Sequence, residues 1–92
     1  MKTIISNTIS FYGDINNFKA IKLLKETLGE IIDLDMLSSD FSEDGGYNTI
    51  TVEFLDGHNA DNKEFSLFLN KLKELGAKKI CTDDVSYVED ED

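Results

Sequence analysis

His58 is the only histidine and Cys81 the only cysteine of the 92 residues, so imidazole or thiolate chemistry would have to start from them. His58 lies in a turn-like run with Asp56, Asn59 and Asp61. A metal centre wants several such ligands at fixed spacing, and one imidazole among scattered carboxylates does not supply them. Two stretches, Asp40 to Gly46 and Asp56 to Asp61, have the composition of a calcium loop. Neither carries the Asp-x-Asp/Asn-x-Asp/Asn-Gly spacing that wraps oxygens around the ion. Cys81 follows Ile80 in a strand-like pattern with no base spaced to activate it, and is expected to be a small buried hydrophobe. A nucleophile–base–acid set would rest on His58 and one of many serines, with nothing to single one out. The expectation is a protein that is not an enzyme and uses no cofactor or metal.

What stands out instead is charge. The chain carries nineteen acids and nine bases, a net charge of -10, and every base is Lys. Arg is the preferred bidentate partner of phosphate, so a chain without it is poorly equipped to hold phosphates. The charge is also partitioned. Residues 1–29 are net +2 and residues 62–79 net +3, whereas residues 30–61 hold nine acids and no base, and residues 80–92 six acids and no base. Such a field repels nucleic acid and anionic membranes and steers partners of the opposite sign.

The elements that must position these carboxylates are legible as periodicities. Gly46 to Leu55 is the clearest: Ile50, Val52 and Phe54 alternate with Thr49, Thr51 and Glu53, the pattern of a half-buried central strand. Lys2 to Tyr12 reads as a first strand, with Ile5, Ile9 and Phe11 on one face and Asn7 an imperfection among them. Asn16 or Asn17 can cap a helix to about Leu28 whose apolar stripe is Phe18, Ile21, Leu24 and Leu28, widened by Ala20 and Leu23. Gly29 is expected in the left-handed position that ends it. Glu30 to Leu37 reads as a second strand, Ile32, Leu34 and Met36 alternating with Asp33 and Asp35, followed by a polar loop from Ser38 to Gly46. Asp61 and Glu64 have capping-box spacing ahead of a second helix with Phe65, Phe68, Leu69, Leu72 and Leu75 inside and Gly76 as its stop. A last strand runs from Lys79 to Thr82 and on towards Val88, with Asp83-Asp84 as a place for a bulge.

The order strand, helix, strand, strand, helix, strand predicts an α+β fold. Its natural form is ferredoxin-like βαββαβ, an antiparallel sheet with both helices on one face; a sandwich with the last strand displaced or halved is the rival. One domain is expected over residues 1–88, with an acidic tail at 89–92. No apolar run approaches the ~20 residues of a membrane span. The first residues lack a signal peptide's apolar run, and a single Cys allows no intrachain disulfide, so the cytoplasm is the expected compartment.

In that fold the alternation places Ile32, Leu34, Met36, Ile50, Val52 and Phe54 under the helices. Asp33, Asp35 and Glu53 must then leave the opposite face, spaced ~6.7 Å apart along a strand. The loop adds Asp40, Glu43 and Asp44, and Asp56, Asp83 and Asp84 extend the field. Duplex DNA shows one charge per ~1.7 Å of axis, a higher density of the same sign.

Two phosphate- and RNA-binding families share the element order. Acylphosphatases hold phosphate with an arginine, which is absent here. RNA-recognition domains stack bases on sheet aromatics, and Tyr12 and Tyr47 could occupy such a face, but their basic glycine–aromatic signature is missing. Small size, acidity, absence of Arg and carboxylates on a sheet face together resemble the DNA-mimic antirestriction proteins of bacteriophages. In length and character the chain is most similar to the Arn-like inhibitors of the modified-cytosine nuclease McrBC. The resemblance rests on Asp33, Asp35, Asp40, Glu43, Asp44, Glu53, Asp56, Asp83 and Asp84 as a field. It implies an acidic homodimer in the host cytoplasm that occupies the basic DNA-binding surface of a restriction or other defence nuclease, without binding nucleic acid or membrane itself. The alternative is an interaction module that pairs through its open sheet face, with Ile31, Leu37 and Leu55 pointing that way beside the acids.

Overall fold

The computed structural model describes residues 2–44 and 46–89; Asp90, Glu91 and Asp92 of the expected tail lie outside the described residues. Four strands, β1 (Lys2–Tyr12), β2 (Ser38–Asp40), β3 (Tyr47–Glu53) and β4 (Lys78–Glu89), form one sheet in the order β2-β3-β1-β4. Every neighbouring pair is antiparallel. Helices α1 (Asn17–Leu28) and α2 (Lys63–Glu74) supply the second layer. The fold is α+β and ferredoxin-like, as the element order predicts.

The core is the product of the two periodicities. Ile9 and Phe11 of β1 and Ile50 and Val52 of β3 are fully buried against Ala20, Leu24 and Leu28 of α1 and Phe65, Phe68 and Leu72 of α2. Fully burying each large side chain stabilises by about 1.5–3 kcal/mol relative to exposure. Asn16 caps α1 through its side chain, which accepts from the Lys19 N–H at 3.1 Å. Gly76 ends the α2 turn at φ +113°, a conformation strained for any residue with a Cβ. Gly13 at φ +131° lies so near it that an added Cβ would stand 2.9 Å from the Gly76 carbonyl oxygen.

Several expectations fail locally. The second strand does not run through 30–37. Asp33 instead accepts a hydrogen bond from the Asp35 N–H at 3.0 Å and opens a 3-10 turn over Leu34–Met36. An Asp that can satisfy a nearby N–H competes with the sheet ladder, and here it wins. Leu34 and Met36 are therefore 44% and 53% exposed instead of lying under the helices. Ile31, expected on the open face, is buried in the core beside Ile32, and Leu37 packs against that core. The true β2 lies inside the stretch expected to be loop, pairing Ser38, Ser39 and Asp40 with Thr51, Ile50 and Thr49.

Smaller corrections follow the same logic. Phe18 is 87% exposed, because α1 buries the Ala20–Leu24–Leu28 side of the stripe. Gly29 is right-handed, φ -57°, and not left-handed. Asn62, not Asp61, occupies the position before α2, and its side chain makes no capping bond there. The irregularity in β4 falls at Lys79 and Ile80, which together oppose Phe11; Lys79 takes φ +54°, and Asp83-Asp84 continue a regular ladder. Glu89 still pairs with Lys2, so the strand takes in the first residue of the expected tail.

Candidate functional site

The register settles which side each carboxylate takes. Glu53 stands opposite Ser6, Asp83 opposite Thr8 and Asp40 opposite Thr49, so these three share the parity of the open sheet face. Asp33 joins them from the turn, since its N–H donates to the Glu53 carbonyl at 2.9 Å. With Asp56, Asp33 and Glu53 line a hollow of about 310 Å³ at the C-terminal end of β3, which Met36 and Tyr87 also border. The Tyr87 hydroxyl donates to the Glu53 carboxylate.

The remaining acids divide. Asp35 is exposed in the 3-10 turn, and Glu43 and Asp44 are exposed in the β2–β3 loop. Asp44 accepts from the Ser42 hydroxyl and from the Gly46 N–H, and these two bonds hold its carboxyl below the ordinary 3.8. Asp84 does not belong with the others. It stands opposite Asn7 on the helix side, and the buried Asn7 amide donates to it at 2.6 Å. This contact explains the polar interruption in the first strand: Asn7 reaches the exposed edge strand for a partner. The field is thus a band, from the 3-10 turn along edge strand β2 to the β2–β3 loop, reaching onto the sheet at Glu53, with Asp83 across the sheet on β4. The strand spacing expected of Asp33 and Asp35 is not formed, because the 3-10 turn over Leu34–Met36 replaces that strand.

The centre of the open face is hydroxylic. Thr8 and Thr51 hydroxyls meet at 3.2 Å, Tyr47 donates to Ser10 at 2.9 Å, and Ser6 donates to the Val85 carbonyl at 3.3 Å. Tyr12 and Tyr47 pack edge-on at 5.4 Å, with the Lys79 ammonium 5.9 Å from the Tyr12 ring. Their parity was legible in the sequence; Val85 and Tyr87 were legible as strand residues but not as part of this face, because the register of β4 depends on the Lys79 bulge. Cys81 is exposed there, opposite Ser10, and not buried.

A buried amide holds the acidic loop. Asn48 accepts from the Ser42 N–H at 2.8 Å and donates to the carbonyls of Gly13 at 3.1 Å and Gly46 at 3.2 Å. His58 serves its own loop, its Nδ1 lying 3.3 Å from the Asn62 amide nitrogen. Among the described residues no group of three His, Cys, Asp or Glu side chains is placed to hold a metal ion. No helix among them is long and apolar enough to cross a membrane.

No protein-family model matches the chain, and no curated protein does. Solved structures share its fold. Rv0793 from Mycobacterium tuberculosis matches with a TM-score of 0.55 at 10% identity, over 95% of this chain and 97% of that one. The uncharacterized protein TM1266 from Thermotoga maritima matches at 0.52 and 14% identity, over 92% and 98%. A formyltetrahydrofolate deformylase from Pseudomonas putida KT2440 matches at 0.53 and 14% identity, but over only 29% of its length. At such identities the likeness is one of fold: a sheet of this order with two helices carries unrelated functions.

Proposed function

We propose that this protein is a non-enzymatic DNA mimic whose acidic band occupies the basic DNA-binding surface of a host defence nuclease. The observation that supports it best is the segregation of charge in space. The acids of residues 30–61 come with no Lys among them, and Asp33, Asp35, Asp40, Glu43, Asp44, Glu53 and Asp56 gather along the β2 edge and the adjoining end of β3. The long dimension of the fold is 44 Å. Duplex DNA of that length carries about 26 phosphate charges, at one per ~1.7 Å. The net charge of -10 is therefore about two-fifths of the duplex value, and a homodimer would lengthen the charged surface at the same density.

The test is capture from bacterial lysate at low salt, followed by stepwise elution with duplex DNA. DNA-binding proteins released by the duplex are the expected result, with binding that weakens steeply as salt screens the field. The variant Asp35→Asn, Asp40→Asn, Glu43→Gln, Asp56→Asn removes four exposed charges whose side chains make no hydrogen bond among the described residues. It should remain folded and lose capture; unchanged capture would overturn the assignment of this band.

A second reading has its own support. Tyr12, Tyr47, Val85 and Tyr87 are all exposed on the open sheet face, and such a face can pair with a second copy or another protein. Association through it would persist or strengthen at high salt, which sedimentation velocity at about 1 M NaCl would show.

A further inference from the structure

We propose that the outer surface of the helix layer is a second docking surface, for an acidic peptide segment carrying an apolar anchor. The first observation is Phe18, an aromatic side chain at the start of α1 that is 87% exposed. With Ile21, Lys22 and Lys25 it borders a hollow of about 490 Å³. A second hollow, of about 280 Å³, lies between the helices, with Leu23 and Leu75 among its walls and Lys19, Lys22 and Lys71 at its rim. The two share Lys22 and Glu26, so they adjoin on one surface where Phe18, Ile21, Leu23 and Leu75 are interspersed with charged side chains. Apolar side chains exposed among charged ones are the anatomy of a recognition site.

The second observation is sign. Four Lys, residues 19, 22, 25 and 71, against two Glu, residues 26 and 74, line the two hollows in a chain whose net charge is -10. The excess of ammonium groups on this surface selects an acidic occupant, and Phe18, Ile21, Leu23 and Leu75 select one with an aliphatic or aromatic anchor. A second copy docked symmetrically would bring the same Lys residues against themselves. Duplex DNA and anionic bilayers extend far past this surface and meet the repulsion of the whole molecule, whereas a short peptide responds to the local field.

That difference gives the surface a distinctive salt signature. At about 10 mM salt the Debye length is ~30 Å and the peptide feels the acidic band across the fold; at about 150 mM it is ~8 Å and the local Lys residues dominate. Affinity should therefore rise between these two conditions and fall again near 1 M. The mimic surface instead loses affinity throughout.

The experiment is fluorescence anisotropy of the full chain with a labelled dodecapeptide of alternating Glu and Leu. Its Lys-and-Leu and Glu-and-Ser counterparts serve as controls. The acidic apolar peptide should bind best, with Phe18→Ala and the pair Lys22→Glu, Lys71→Glu each weakening it about tenfold, the cost of losing one anchor. At about 150 mM salt the Asp35→Asn, Asp40→Asn, Glu43→Gln, Asp56→Asn variant should bind it normally, which separates this surface from the mimic surface. Equal binding of all three peptides, preference for the basic one, or no effect of the Phe18 and Lys variants would overturn the proposal. So would binding by anionic phosphatidylserine vesicles that the Lys22→Glu, Lys71→Glu pair abolishes while the acidic peptide fails to bind. All these residues are at least partly exposed, and a circular dichroism melt confirms that each variant is folded.

Discussion

Removing the Asn48 amide should unlock the acidic loop and destabilise the whole domain. The side chain is 1% exposed. Its oxygen satisfies the Ser42 N–H, and its nitrogen serves the carbonyls of Gly13 and Gly46, with Phe11 more distantly at 3.4 Å. Asn48→Ala deletes three good hydrogen bonds at a net ~1 kcal/mol each, and leaves buried backbone groups behind. Water can reach the partners nearer the surface, so the expected loss is about 2–4 kcal/mol. For a domain of this size that lowers Tm by about 10–20 °C. Urea unfolding followed by circular dichroism measures the loss, and amide exchange at Ser42 reports the local effect. Asn48→Asp refines the test. It keeps the acceptor but sets a carboxylate against carbonyl oxygens, raising its folded-state pKa above the unfolded ~3.9. The folded state then binds more protons, so the deficit is greatest at neutral pH and shrinks as pH falls through the raised value. An Asn48→Ala protein within about 0.5 kcal/mol of the parent would refute the clamp, since that is the scale of an ordinary surface change.

Further expectations concern single side chains. Phe68→Ala should cost about 3–5 kcal/mol, whereas Phe18→Ala should stay within about 0.5 kcal/mol, both read by urea unfolding. Gly76→Ala, at φ +113°, should destabilise by about 1–2 kcal/mol because the Cβ cannot be accommodated without strain. Asp44 should titrate below 3.8 by carboxyl NMR; its depressed folded value stabilises above that pH and is lost as pH falls through it, so Asp44→Asn should flatten that part of the acid unfolding curve. Cys81 is exposed on β4 and should react with a thiol reagent in the native protein at one equivalent, without denaturant.

The fold was readable because its two helices and long strands carry strong periods. Ile50, Val52 and Phe54 fix a strand face whatever surrounds them, and Ala20, Leu24, Phe65, Phe68 and Leu72 fix two helix faces. The stretch from Glu30 to Gly46 was misread because its outcome depends on local competition. Alternation of Ile32, Leu34 and Met36 favours a strand, but Asp33 can bond the Asp35 N–H within its own turn, and only the position of β3 decides where pairing resumes. Phe18 was misread for a different reason. Helical period identifies a stripe, and the packing of α1 against the sheet and α2 decides which edge of that stripe is covered.

Composition and order along the chain by themselves determined the element order, the inner faces of the long elements and the division into basic and acidic segments. All three depend on near neighbours and on the periods of 3.6 and 2. Tertiary structure alone decided which carboxylates stand together. That Asp33, Glu53 and Asp56 share one hollow while Asp84 turns to Asn7 depends on strand register and on the bulge at Lys79. A one-residue shift there reverses the face of every residue that follows.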